Sequence, residues 1–482
     1  MDIPPVSMAN RTVFINQNSN EAILLDSTMT SKGEAIRVDV PYAPIYMQRR
    51  NGAHNEVLIL SKGHPGSRDS LQKSAALTLV NAHGRKTVFE LGNNPFDTVI
   101  ADPEGDYVFL MRQRMEDKLL ENINEVAIIS LNGNPDLDST LVYRTLEGTP
   151  NQVFFSENFQ IGGVPKKIAC VASTDMLFIF DLEHLDRRPT SVYLGKNNST
   201  AIHAEQIIFD GKTERIYVRS SSSDDIFSLK LTARVADEDR NDFATSIDII
   251  GVGRHPSDMA LYYESDNSKL FVVAEVSEES YIIDVATGKT IQIPFPGPID
   301  RVHIFTRTTL GVESRHALVW KTNATEFYVI DFFNVGEQLG KNIRLIGKSF
   351  QPAKALLSVF EGNKMLLMHA GIGLSVIDLD VETISPFASR QPLYDSYLDR
   401  SRGRFWVAPN GQQRVAYVDI SETATDDLIL DKAVEAVVPV FDAGVLLVVH
   451  DSAVGYVTLI DVENPDRIHT RSIRGFLVEN IL

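Results

Sequence analysis

The sequence predicts an all-β chain folded as a single closed β-propeller of four-stranded blades. Three observations carry that prediction: a strand–turn–strand phrase recurs along the chain, prolines introduce a further strand before many copies, and the two chain ends read as parts of one sheet.

The phrase is clearest in Lys269–Pro298, KLFVVAEVSEESYIIDVATGKTIQIPFPGP. Leu270–Ala274, Tyr281–Val285 and Thr290–Pro294 are short β-branched or aromatic runs, bounded by polar turns and a Gly-Pro break. It recurs in Met365–Val381, Phe405–Ile420 and Leu446–Val462. In each copy an apolar strand is followed by a turn and a strand ending apolar-Asp-apolar. The aspartates are Asp284, Asp378, Asp419 and Asp461, with Asp181 and Asp331 in matching positions. An Asp that closes a strand accepts hydrogen bonds from backbone N–H groups of the following turn, so its recurrence needs no catalytic explanation.

The fourth strand precedes the phrase. Pro44, Pro95, Pro150, Pro256, Pro298, Pro352 and Pro392 sit where it begins. Proline has no N–H and a fixed φ, which suits the first residue of a strand and not its middle. The strands are lettered a to d within a blade. Strand a is expected near Ala43, Phe96, Gln152, His203, Ser257, Ile299, Ala353, Leu393, Val437 and Phe476. Steps of about 40 to 55 residues are those of propeller blades.

With these residues in view, the chain resembles the YVTN-type β-propeller repeat family, most closely over Ser280–Gly297, SYIIDVATGKTIQIPFPG. The resemblance covers nearly the whole chain at module level and implies an architecture, not an activity. Modules two to five depart from it, carrying Asn81, Ser130 or Lys230 where the Asp would fall.

At the N-terminus, Thr12–Asn16, Ala22–Asp26 and Ala35–Val40 read as strands b, c and d without a strand a, and Phe476–Leu482 is a leftover strand. Placing it beside the first three closes the ring and removes an unpaired edge. The count is then ten blades in one domain spanning residues 1–482, with eight or nine as alternatives. Two tandem rings fit poorly with a blade shared between the ends.

Composition narrows the function. The formal charge of −18 opposes nucleic-acid and anionic-membrane partners, whose phosphates need Lys and Arg. No apolar run approaches the roughly 18 residues that span a bilayer. Cys170 is the single cysteine, which excludes an intramolecular disulfide and cysteine metal clusters. Met1–Asn10 shows no signal-peptide pattern, which fits either a cytoplasmic protein or a processed exported one.

No HExxH, GxSxG, GxGxxG or phosphate-loop motif is present; Gly288-Lys289-Thr290 and Gly347-Lys348-Ser349 lack the earlier glycine. No cofactor is expected. His369 and His450 end equivalent strands b and read as capped or core histidines rather than metal ligands. The acidic groups Asp136/Asp138 and Asp237/Glu238/Asp239/Asp242 read as solvated c–d loops, since neither has a calcium-loop ligand order.

Two long b–c insertions stand out, Lys62–Ser74 and Gln113–Asn124, in blades two and three. The second carries Met115, Leu119, Leu120 and Ile123 at helical spacing. Such a stripe packs either on its own ring or on a partner protein. On the docking reading Arg112, Met115, Lys118, Leu119 and Ile123 form the contact surface. The expected function is a non-catalytic binding or scaffold propeller with a protein partner, exported by a bacterium to the periplasm or cell surface. The alternative is a cytoplasmic location or a lactonase-like hydrolase with its site on the central channel. The hydrolase would draw on Asp300, Arg301 and His303 in one blade, with Asp395, Tyr397 and Asp399 in another.

Overall fold

The structure, a computed structural model, describes residues 3–478 except 65, 67–70, 94–95, 113–121, 134–139, 198–199, 236–239, 265–266, 298, 310, 333–342, 350–352, 359–362, 370–372, 388–392, 400–401, 410 and 421–423. Among the described residues the chain forms ten four-stranded antiparallel sheets, each running a-b-c-d in chain order, which is the β-propeller architecture. One two-residue hairpin, Lys196–Asn197 with Thr200–Ala201, lies between the fourth and fifth blades.

Observed strands a of blades 2 to 10 begin at Pro44, Thr98, Gln152, Gln206, Pro256, Arg301, Ala353, Leu393 and Val434, all within three residues of expectation. Pro44 and Pro256 are themselves first strand residues. Strands b and c lie in the middle of each sheet, and inside a unit a blade with two neighbours has them covered on both faces. Arg11–Asn16 and Glu21–Asp26 of blade 1 each bury four consecutive residues. This double burial explains why these strands read as continuous apolar runs instead of alternating ones.

The blades group into two compact units of five. The first takes residues Met1–Arg144 and Gln391–Leu482, hence blades 9, 10, 1, 2 and 3. Each seam in it has its own apolar cluster, such as Trp406, Val437 and Leu446 between blades 9 and 10, and Leu58, Phe89, Phe96 and Leu110 between blades 2 and 3. The second unit, Thr145–Arg390, holds blades 4 to 8, with Phe159, Ile216, Phe227 and Phe243 joining blades 4 and 5, and Tyr262, Phe271 and Tyr328 joining blades 6 and 7.

Long polar side chains lace the same seams. Arg50 Nε donates to Gly105 O at 2.5 Å, Arg219 Nη1 to Pro256 O at 3.0 Å and Arg404 Nη1 to Val462 O at 2.6 Å. Each carbonyl belongs to the following blade, so neighbours are tied through backbone groups that any side chain there would leave in place.

The chain ends differ from the expected arrangement. Blade 1 has its own strand a, Val6–Met8, antiparallel to strand b with Val6 opposite Val13. Phe476–Leu482 was expected to fill that edge. Instead Phe476 and Leu477 lie in a turn, with Leu477 N–H donating to Val454 O at 3.1 Å, and residues 479–482 fall outside the described residues. Three residues behind Pro4-Pro5 are too short to read as a strand, yet they occupy the position. The ends still meet: Phe14, Ile23 and Leu25 of blade 1 pack with Val438, Leu447, Leu459 and Phe476.

Candidate functional site

The first unit carries an open cleft of about 650 Å³ where turns of blades 1 and 2 come together on the a–b and c–d face. Three separate stretches build it. The a–b turn of blade 1 gives Ala9, Asn10 and Arg11, the longer a–b turn of blade 2 gives Arg50 and Ala53–Glu56, and the c–d turn of blade 2 gives Asn81, Ala82 and His83.

Local chemistry fixes each turn. Ala9 adopts φ +46° between two short strands. Asn81 Oδ1 accepts the N–H groups of His83 and Arg85, both at 3.0 Å, and so closes the c–d turn. The blade 2 turn abuts its counterpart in blade 3 backbone to backbone. A Cβ on Gly52 (φ +70°) would meet Glu104 O at 2.3 Å, and one on Gly105 (φ +77°) would meet Asn51 O at 2.5 Å. Only glycine fits this close approach.

Charge in the cleft is largely spent. Arg50 is buried, with Nη1 on Glu56 and Nη2 on Asn132 Oδ1, each at 2.5 Å, besides its bond to Gly105. Arg11 Nη1 donates to Leu24 O at 3.3 Å. Exposed Asn10, Asn55 and His83 remain, and the half-buried His54 has Nε2 4.0 Å from Asp106. Among the described residues the lining holds no Ser, Thr, Cys, Tyr or Lys. It offers amides and imidazoles, which donate and accept.

Four of the six recurring aspartates do what turn chemistry predicts. Asp284 Oδ1 accepts the N–H and hydroxyl of Thr287, both at 2.9 Å, and these bonds hold its carboxyl below the usual range. Asp378, Asp461 and Asp181 accept N–H groups of Asp380 (3.0 Å), Glu463 (2.9 Å) and Glu183 (3.1 Å). His369 Nε2 is hydrogen-bonded to Ser375 Oγ, and His450 Nε2 to Thr458 Oγ1, each at 2.8 Å on the adjacent strand c. Both rings are buried within their own blades, and burial lowers the His450 imidazole.

Asp300 and Asp399, expected on the central channel, make local contacts. Asp300 accepts Thr322 N–H at 2.7 Å and caps a turn. Arg301 is exposed, and burial lowers the His303 imidazole. Instead, Asp258 joins three blades: Oδ1 accepts from Gln206 Nε2 at 2.9 Å and Oδ2 from Val302 N–H at 3.0 Å. Its burial raises the carboxyl above its ordinary value, against the effect of those bonds. Asp399 accepts the Arg402 N–H and pairs with its guanidinium at 3.2 Å, Tyr397 packs at the blade 9 core, and the side chain of Asp395 lies outside the described residues.

Of the proposed docking residues, Arg112 is 3 % exposed with its guanidinium 5.6 Å above the Phe96 ring, and Ile123 is half-buried. Met115, Lys118 and Leu119 lie outside the described residues, as do Asp136, Asp138, Asp237, Glu238 and Asp239. Asp242, expected to be solvated, instead pairs at 2.8 Å with Lys166, which also pairs at 2.8 Å with the buried Asp181. A buried lysine needs such company, and this triad ties blade 4 to blade 5. Among the described residues no cluster of three or more His, Cys, Asp or Glu is placed to hold a metal ion, and no helix is long and apolar enough to cross a membrane.

No known protein family's sequence profile matches the chain, and no curated protein matches it in sequence. Solved structures do match. Dihydro-heme d1 dehydrogenase NirN, in complex with DHE, is 11 % identical over 89 % of this chain and 74 % of its own, with a TM-score of 0.42. Apo AztD from Citrobacter koseri is 9 % identical over 86 % of this chain and 94 % of its own, at 0.39. Dipeptidyl peptidase 4 from Porphyromonas gingivalis is 12 % identical over 97 % of this chain, which spans 59 % of that enzyme, also at 0.39. At such identities nothing about ligand or chemistry follows.

Proposed function

We propose that this chain is a non-catalytic binding propeller of the YVTN type that takes a polar segment of a partner protein in the cleft between blades 1 and 2. One observation carries the reading: around the cleft the cations are already bonded to neighbours, while Asn10, Asn55 and His83 face solvent. An asparagine amide presents one donor group and one acceptor, the same pair as a peptide unit. A cleft of about 650 Å³ accommodates a few residues of extended chain. Location outside the bacterial cytoplasm belongs to the same proposal and is supported by the single cysteine, Cys170, which is wholly buried. The b–c insertion with Met115, Lys118, Leu119 and Ile123 is proposed as a second contact; Arg112, expected to join it, is buried against Phe96 and is left out.

The test is a pull-down followed by titration of the recovered partner. Asn10→Ala, Asn55→Ala and His83→Ala together should abolish capture with the melting temperature unchanged, because these side chains are exposed. Undiminished capture by the triple variant would refute the cleft. Replacing Met115, Leu119 and Ile123 by Ser addresses the insertion in the same assay.

A further inference from the structure

In five blades the residue at the strand c position of the recurring Asp stands directly opposite a basic side chain on strand b. The cross-strand pairs are Arg11 with Asp26, Lys269 with Asp284, His316 with Asp331, Lys364 with Asp378, and Arg404 with Asp419. In this register Lys or Arg attracts the facing carboxylate and like charges repel, whereas burial lowers the His316 imidazole and its pair with Asp331 matches in position only. Blade 5 keeps the base and replaces the acid: Arg215 stands opposite Lys230.

The pair sits at a second cleft, of about 310 Å³, between the a–b turn of blade 5 and the c–d turn of blade 6. Arg215 Nη1 donates to Ser228 Oγ at 2.8 Å and to Asp248 at 2.9 Å. Its Nε and Nη2 meet no acceptor among the described residues, nor does the Lys230 ammonium meet a carboxylate there. Lys212 lines the same space, its ammonium 4.7 Å above the Tyr263 ring. Among the described residues Glu214 is the one acid in the lining, and its carboxylate accepts the Gly162 N–H of blade 4 at 2.6 Å.

We infer that this cleft binds a small phosphate-class oxyanion, inorganic phosphate or a small phosphate monoester, which occupies the place that the missing carboxylate holds in other blades. The free Nε and Nη2 edge of Arg215 is a planar fork that matches two oxygens of such an ion, and Lys230 supplies a point charge beside it. A volume of about 310 Å³ has room for phosphate with a small ester body. The −18 chain repels anions at long range, so recognition rests on this local arrangement.

Calorimetric titration of the full chain with inorganic phosphate and with glycerol 3-phosphate, at ionic strength held constant with chloride, tests the assignment. The expected result is one equivalent bound, a loss of tenfold or more in Lys230→Gln, and near-normal binding in Lys230→Arg. Lys230→Gln removes a like-charge pair, so without phosphate it should melt no lower than the parent while losing the phosphate-induced rise in melting temperature. Binding of the monoester as well as the ion assigns the rest of the cleft to the organic body. No binding beyond the chloride control, or equal binding by Lys230→Gln, overturns the proposal. It does not rest on the cleft of blades 1 and 2.

Discussion

The ring of Phe476 stands 4.8 Å from the ring of Phe14, tilted by 49°, so the last described turn and the second strand of the first blade share one apolar seam. Arg37 of blade 1 reinforces it, donating from Nη2 to Phe476 O at 3.3 Å. Phe476→Ala should cost about 3–5 kcal/mol in urea unfolding. In a double-mutant cycle with Phe14→Ala the two rings should couple by about 0.5–1.5 kcal/mol. Additive losses would mean that the rings do not share a seam.

Lys166→Met leaves Asp181, 2 % exposed, without its cation and should cost about 3–5 kcal/mol. Burial lowers the Lys166 ammonium, but hydrogen bonds and charges of Asp181 and Asp242 outweigh it, and the folded value lies above 10.5. A raised pKa of this kind stabilises fully below 10.5 and is lost as pH rises through the folded value. Unfolding curves collected at rising alkaline pH should show that loss in the parent and not in Lys166→Met.

Glu382 works in the opposite direction. Burial raises its carboxyl, yet hydrogen bonds from Arg344 and Arg307 outweigh that and hold it below 4.5. Arg307 Nη1 contributes an ion pair at 3.0 Å across the seam of blades 7 and 8. A depressed pKa stabilises above 4.5 and is lost as pH falls through the folded value. Acid titration of Glu382→Gln should therefore lack part of the parent's decline in melting temperature below that pH.

Gly105→Ala should cost more than the roughly 0.4–1 kcal/mol scale of ordinary glycine changes, because the new Cβ meets Asn51 O with φ at +77°. Gly92→Ala is the control: its φ is +64°, but a Cβ there meets nothing within 4 Å. Thermal melts of both should show Gly105→Ala as clearly the less stable. A smaller effect at Gly105 than at Gly92 would show that the two turns are not in contact.

Most of the fold was legible because blades repeat and because doubly buried strands write themselves as apolar runs such as Val57–Leu60. Asp284 and Asp461 were legible as turn closers, since the bonds they make are local in sequence. Val6–Met8 was not, being three residues with no alternation to count. The cleft was hidden for a different reason. Asn10, Asn55 and His83 come from three turns, and only the packing of two blades sets them side by side. Asp242 looked like one more acid in a loop, and its partner Lys166 lies in the preceding blade. Lys230 was visible as a letter out of place, but its meaning required knowing that Arg215 faces it.

Each described blade is completed by consecutive residues, and blade 1 takes its innermost strand from Val6–Met8 instead of borrowing one from the far end. No described sheet therefore depends on the two termini being held in register. A stretch of chain from one d–a link to the next is a self-contained module, and copying or deleting it in the gene would leave every remaining sheet whole. Removing or duplicating one such module would disturb the apolar seams between neighbours and not the hydrogen bonding within a described sheet.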